Sequence, residues 1–267
     1  MILNEIRSAV KEKMPLIHCI TNPISINQCA NVILAVGAHP IMAEHPEEVA
    51  EITQTAQALV LNLGNITESR RKSIMISAEV AMKNKIPFVL DAVGVACSRL
   101  RRELAYEICI KHPQIIKGNY SEIKALHNLA YNSAGVDSDA KLKVEDMDKI
   151  AIELAQKYDT IILASGACDI VTDGKTLIHI KNGVQYLSKI TGTGCMLGAL
   201  CGCYIAVRQD IMAAVCACAT IGIAGECATG NKGSASFANS LLDKVSTLSD
   251  SDLEKYLKLE ETEVEKV

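Results

Sequence analysis

Gln114-Ile115-Ile116-Lys117-Gly118-Asn119-Tyr120-Ser121-Glu122 is the stretch on which the fold turns. A short β-branched run ends at a lysine and a glycine, and Asn-x-x-Glu follows at a strand-to-helix junction. The same rhythm recurs on both sides. Strand-like runs occupy 58–63, 87–91, 114–117 and 160–165, and helical patterns occupy 68–83, 99–111, 121–130 and 144–157. That alternation predicts an α/β fold, a doubly wound and mostly parallel sheet flanked by helices. Upstream, Asn22-Pro23 reads as an N-cap with proline at the first helical position, opening a helix that ends near Gly37. Asn182-Gly183, flanked by 177–181 and 184–188, reads as a hairpin turn. From residue 195 onward the pattern is nearly all helical. One domain over 1–267 is expected, with a disordered acidic tail at 258–267 and a mobile loop at 131–140.

Composition narrows the function classes. The chain has 267 residues, 27 Lys and Arg against 31 Asp and Glu, no Trp and two Phe. With a net charge of −4 and no basic block beyond short Arg pairs, a nucleic-acid surface is excluded. Residues 195–228 are apolar enough to raise the membrane question. Arg208-Gln209-Asp210 splits the stretch and Glu226 sits inside its second half, so it reads as two buried helices. The first thirteen residues do not form a signal peptide. Eleven cysteines without a C-x-x-C fit a reducing cytoplasm. Cys201/Cys203 and Cys216/Cys218 point to opposite helix sides, which argues against zinc, and ten of the eleven are expected to be small core residues.

Ligands of open α/β sheets bind beyond the carboxyl ends of the strands. There the chain carries Asn62 and Gly64, Asp91 and Gly94, Lys117 to Asn119, and Ser165 with Gly166. Ile190-Thr191-Gly192-Thr193-Gly194-Cys195-Met196 joins this rim. Its glycines admit close backbone approach, and a helix starting here aims free N–H groups at an anion, phosphate above all. Cys195 at that helix start is expected to gain thiolate character. The same residues also fit a Gly-rich turn feeding a buried helix. Asp91 ends an apolar strand, where a carboxylate needs water or a cation. Glu122 fits a helix-start acid, or a carboxylate holding a water of Mg²⁺. Anion cradle, metal carboxylates and a group beside the accepting hydroxyl together are what phosphoryl transfer needs. No Walker-type loop and no early G-x-G-x-x-G occurs. His18-Cys19 could be a nucleophile pair or a core histidine, and Met42 could line a ring pocket or the core.

These motifs resemble the hydroxyethylthiazole kinase family of the ribokinase-like superfamily. The resemblance rests on His18-Cys19-Ile20-Thr21-Asn22-Pro23 with Asn27 and Asn31, on residues 37–42, 90–94, 117–122 and 171–174, and on Thr191-Gly192-Thr193-Gly194-Cys195. It runs in order from about residue 3 to about residue 245. It implies ATP- and Mg²⁺-dependent phosphorylation of the hydroxyl of 4-methyl-5-(2-hydroxyethyl)thiazole in thiamine salvage. By motif match, Asn22, Met42, Gly64 and Gly192 surround the thiazole, while Lys117, Ser165 and Asn119 meet ATP. Asp91 and Glu122 serve the metal, and Cys195 stands beside the hydroxyl with Gly192 and Gly194 as its catalytic turn. A homotrimer with thiazole sites at subunit contacts is implied, with no nucleic-acid or membrane partner. Lys117 replaces a usual arginine, Ala92 a proline, Asn65 a threonine, and Ser165-Gly166-Ala167 a Thr-Gly-Glu. The alternatives are an ADP-dependent hydrate-repair lyase of the same superfamily and a catalytically silent ligand-binding relative.

Overall fold

A computed structural model describes residues 1–128, 144–230 and 233–264. The loop expected at 131–140 lies outside the described residues. The chain begins with α1 (Ile2–Lys13), β1 (Leu16–Ile20), α2 (Ile26–Ala35), β2 (His39–Ile41) and α3 (Val49–Thr55). Next come β3 (Ala58–Asn62), α4 (Glu68–Asn84), β4 (Phe88–Asp91), α5 (Arg99–Cys109), β5 (Ile115–Asn119) and α6 (Tyr120–His127). Then α7 (Val144–Tyr158), β6 (Ile161–Ser165), β7 (Asp169–Thr172) and β8 (Thr176–Ile180) lead to a 3₁₀ turn over Gln185–Lys189. The last elements are α8 (Thr193–Ile205), α9 (Ile211–Cys227), α10 (Ser234–Thr247), α11 (Asp250–Tyr256) and β9 (Leu259–Glu263).

The strands form one sheet in the order β2-β1-β3-β4-β5-β6-β7-β8-β9. Pairing is parallel from β2 through β6 and antiparallel from β6 through β9. All five residues of β3 are buried, as expected for a strand covered on both faces. Successive side chains serve opposite layers. Ala58 and Val60 join the core with α1, α2, α8, α9, α10 and α11, whereas Leu59 and Leu61 join the one with α3 to α7. Glycine sets how close α8 comes to the sheet. A Cβ on Gly202 would lie 2.4 Å from Val60 Cγ2, and one on Gly198 would lie 3.1 Å from Asp91 Oδ2. The helix therefore lies directly over β3 and β4, with its N-terminus at their carboxyl ends. As expected, 195–228 forms two buried helices, and among the described residues no helix is long and apolar enough to cross a membrane.

Four expectations are corrected. The hairpin turns at Asp173-Gly174 and not at Asn182-Gly183: Gly174 has φ +84°, and Asp173 Oδ1 accepts from the amides of Lys175 and Thr176 at 2.9 and 2.8 Å. Asn182 and Gly183 are engaged elsewhere. Asn182 bridges the Tyr256 carbonyl and the Lys258 amide, and Gly183 N–H donates to Glu226 at 2.9 Å. The tail is ordered at 259–263, because β8 offers a free edge that β9 pairs antiparallel, with Lys181 ion-paired to Glu260. Asn22 does not cap α2. Its Oδ1 accepts from Ile24 N–H two residues on, and the helix begins after Ser25. Seven of the eleven cysteines are buried, fewer than expected; Cys97 is exposed, and Cys168, Cys195 and Cys227 are half-buried.

Candidate active site

Parallel pairing brings the carboxyl ends of β1, β3, β4, β5 and β6 to one edge, and the first turn of α8 lies across it. Asn62, the last residue of β3, is the hub. Its Nδ2 donates to Asp91 Oδ2 at 2.7 Å and to Cys195 Sγ at 3.3 Å. Its Oδ1 accepts from Gly64 N–H at 2.8 Å and from Asn22 Nδ2 at 3.2 Å. Asn22, after β1, also donates to Cys195 Sγ at 3.3 Å. Residues 22, 62, 64, 91 and 195, spread over most of the chain, thus form one hydrogen-bonded group. A Cβ on Gly64 would sit 2.9 Å from both Asn22 Nδ2 and Asn62 Oδ1, so any larger residue would displace one of these two amides.

Lys117, on β5, is buried and pairs with Asp91 Oδ1 at 2.9 Å. Burial opposes its charge, but Asp91 and Glu122 outweigh that and hold the ammonium above its usual range. Asp91 is wholly buried, which pushes its carboxyl up against the pull of Lys117 and Asn62. Gly192 caps α8 with φ +96°, a conformation that favours glycine, and packs on Ser25. Met196 N–H is the first to bond back, to the Gly192 carbonyl, so the amides of residues 193–195 have no partner within the helix. Thr193 does not face the opening; its hydroxyl donates to the Leu187 carbonyl at 2.7 Å. A Cβ on Gly194 would lie 3.3 Å from Lys117 Nζ. An ammonium and a helix N-terminus thus converge beside Cys195, an arrangement that can attract an anion.

Cys195 departs from expectation. Burial and the Asp91 charge raise its pKa, and these outweigh Lys117, so it is a thiol and not a thiolate. Glu122 completes a capping box: its Oε2 accepts from Asn119 N–H at 2.7 Å, and Asn119 Oδ1 accepts from Glu122 N–H. Its Oε1 accepts from Gly94 N–H at 2.7 Å. Burial nevertheless pushes its carboxyl up to about 7. Asn119 and Ser165 stand opposite each other in the β5–β6 register, and Ser165 Oγ donates to the Gly118 carbonyl at 3.3 Å. Met42 follows β2 at the same edge and packs against the α1/α2/α8 layer. His18 is structural. Burial lowers its pKa, and the neutral ring joins Thr53 Oγ1 and the Ala43 carbonyl, each at 2.9 Å.

Asn62 stands on the rim in the sequence reading without a role, although an amide closing an otherwise apolar strand is its signal. Among the described residues no group of three or more His, Cys, Asp or Glu is placed to hold a metal. Glu122 still suits a cation through bound water, because each oxygen keeps a lone pair and its burial is not fully offset. Asp91 likewise keeps one lone pair on each oxygen beyond its bonds to Lys117 and Asn62.

The fold, with the carboxyl ends of its parallel strands meeting the α8 N-terminus at one edge, defines a ribokinase-like α/β protein. A pyridoxal kinase from Staphylococcus aureus shares that fold at TM-score 0.66, with 16% identity over 94% of this chain and all of that one. The Hydroxyethylthiazole kinase family model matches residues 7–251, and the chain belongs to that family. A Clostridium botulinum protein named hydroxyethylthiazole kinase 2 is 44% identical, over 96% of this chain and 98% of its own. The solved hydroxyethylthiazole kinase from Pyrococcus horikoshii has TM-score 0.91 and 33% identity, covering 98% of this chain and 99% of that one.

Proposed function

We propose that this protein transfers the γ-phosphoryl group of ATP to the hydroxyl of 4-methyl-5-(2-hydroxyethyl)thiazole, the salvage step that feeds thiamine synthesis. Family membership supports the substrate class. The observation that carries the site assignment is the convergence of Lys117 Nζ with the unpaired first turn of α8, one residue before Cys195.

The turn over residues 192–194 and Lys117 receive the transferring phosphoryl group. Their fixed N–H dipoles and ammonium stabilise charge as it develops and need no reorganisation. The alcohol oxygen bonds to phosphorus as the bond to ADP breaks, and the hydroxyl proton leaves by a phosphoryl oxygen. Cys195, as a thiol whose sulfur already accepts from Asn22 and Asn62, orients the hydroxyl through its S–H and is a poor base. Asn22, Gly64, Gly192 and Met42 form the thiazole side, and Asn119 and Ser165, at the neighbouring strand ends, form the ATP side. Glu122, with Asp91 behind it, would hold Mg²⁺, and the bound ion would neutralise charge on the phosphate oxygens. A homotrimer with sites at subunit contacts rests on the family resemblance. Eleven free thiols support a reducing cytoplasm.

The test is ADP release from Mg-ATP with the thiazole alcohol or with hydroxymethylpyrimidine. Stimulation by the thiazole alone is expected. Equal stimulation by both overturns the assigned specificity, and none by either overturns the activity.

A further inference from the structure

Arg70 is a buried cation that the chemistry above does not use. It lies in the first turn of α4, where the helix dipole disfavours positive charge, and it is 2% exposed. Burial also lowers its pKa. Two penalties on one residue call for a compensating role, and its partners show where that role lies. Nη1 donates to the carbonyls of Gly64 and Asn65, both at 2.8 Å, and Nη2 reaches the Asn62 carbonyl at 3.4 Å. These belong to the β3–α4 turn, which includes Asn65 at φ +53°. Glu44 Oε2 lies 3.3 Å from Nε, off its N–H direction, so that group makes no hydrogen bond. The Glu44 carbonyl in turn accepts from Ser73 Oγ, one turn along α4, at 2.8 Å.

The guanidinium therefore fastens residues 62–65 by hydrogen bonds and pairs by charge with Glu44 in the segment after Met42, which Ser73 also ties to α4. We propose that Arg70 is a positioning residue for the alcohol side of the site. It fixes the Gly64 N–H and the Asn62 amide against Cys195, and holds Met42 at a set distance from them. The proposal rests on the thiazole-side reading of Asn22, Met42 and Gly64. A lysine keeps the charge but cannot span three carbonyls from a planar fork. Arg70→Lys is thus the informative change, and Glu44→Gln removes only the charge pairing with the second loop, leaving the Ser73 bond to the Glu44 carbonyl.

Steady-state kinetics would be measured for wild type, Arg70→Lys, Glu44→Gln and Met42→Ala, with unfolding midpoints for each. Arg70→Lys is expected to raise the thiazole KM about tenfold while the ATP KM stays within about twofold, and Glu44→Gln to give a smaller rise in the same direction. A purely structural role would lower the midpoint and leave both KM values unchanged, overturning the proposal. So would a rise in the ATP KM alone. Met42→Ala separates the two claims. If it raises the thiazole KM and Arg70→Lys does not, the thiazole-side reading stands and the Arg70 role falls; if neither does, both fall.

Discussion

Replacing Asn62 by alanine removes the hub of the site, and the structure sets the size of the effect. The side chain is 1% exposed and makes four hydrogen bonds, to Asp91, Cys195, Gly64 and Asn22. The bond to the Asp91 carboxylate, at 2.7 Å, contributes about 2 kcal/mol as a charge-assisted one. Orphaning the Gly64 N–H and one Asn22 donor costs about 1 kcal/mol each. The sum is about 4 kcal/mol, or a fall of about 10 °C in Tm for a chain of this size. Urea unfolding at constant m-value measures it, and the thiazole-dependent rate should fall at least about tenfold as Cys195 loses its restraint. Asn62→Asp should be worse at neutral pH, with two carboxylates in contact, and should recover partly in acid. A midpoint for Asn62→Ala within about 2 °C of wild type would refute the reasoning.

Cys195→Ser should keep a hydroxyl donor and retain a measurable share of kcat, because the thiol orients and does not deprotonate; a complete loss in a folded variant would show that sulfur chemistry is needed. Cys195→Asp should remain active, supplying a carboxylate to hold the hydroxyl, and an inactive folded variant would count against the assigned role. The pH dependence of stability carries a sign. The Glu122 carboxyl rises from 4.5 to about 7 on folding, so the folded state binds the extra proton. Its contribution is present below the unfolded value and is lost as pH rises from about 4.5 through about 7, on the order of 3 kcal/mol at most. His18, whose pKa is lowered, acts in the opposite sense, so the comparison is wild type against Glu122→Gln. Glu122→Gln should flatten the decline, and identical pH profiles would contradict the burial argument.

The parallel half of the sheet was legible because its strands are continuous apolar runs ending in Gly, Asn or Asp. The strands expected at 58–63 and 87–91 differ from β3 and β4 by a single residue at one end. β2 was hidden by its length and by Pro40, which an edge strand tolerates. β1 was obscured by His18-Cys19, read as possible chemistry, whereas His18 is a neutral ring joining Thr53 of α3 to the Ala43 carbonyl in the loop after β2. β9 was missed because its charges signal solvent, and only a sheet edge elsewhere in the chain makes Leu259–Glu263 a strand. At the site, residue types and strand-end positions were readable. The thiol state was not, because a helix start predicts lowering, while burial and Asp91, which act through the fold, decide the outcome. Nor was Arg70, since nothing local distinguishes it from Arg71, which is half-buried and pairs with Glu107.

The most direct test of the central claim, that the α8 turn and Lys117 together hold the transferring phosphoryl group, is kcat for Gly194→Ala beside its unfolding midpoint. Alanine favours a helix interior over glycine by about 1 kcal/mol, which offsets the small shift its methyl asks of Lys117, so the fold should be kept. Its methyl would lie 3.3 Å from Lys117 Nζ and intrude where the anion is received. A midpoint within about 3 °C of wild type is expected, with kcat down about a hundredfold. A stable variant with kcat within about twofold of wild type would contradict it.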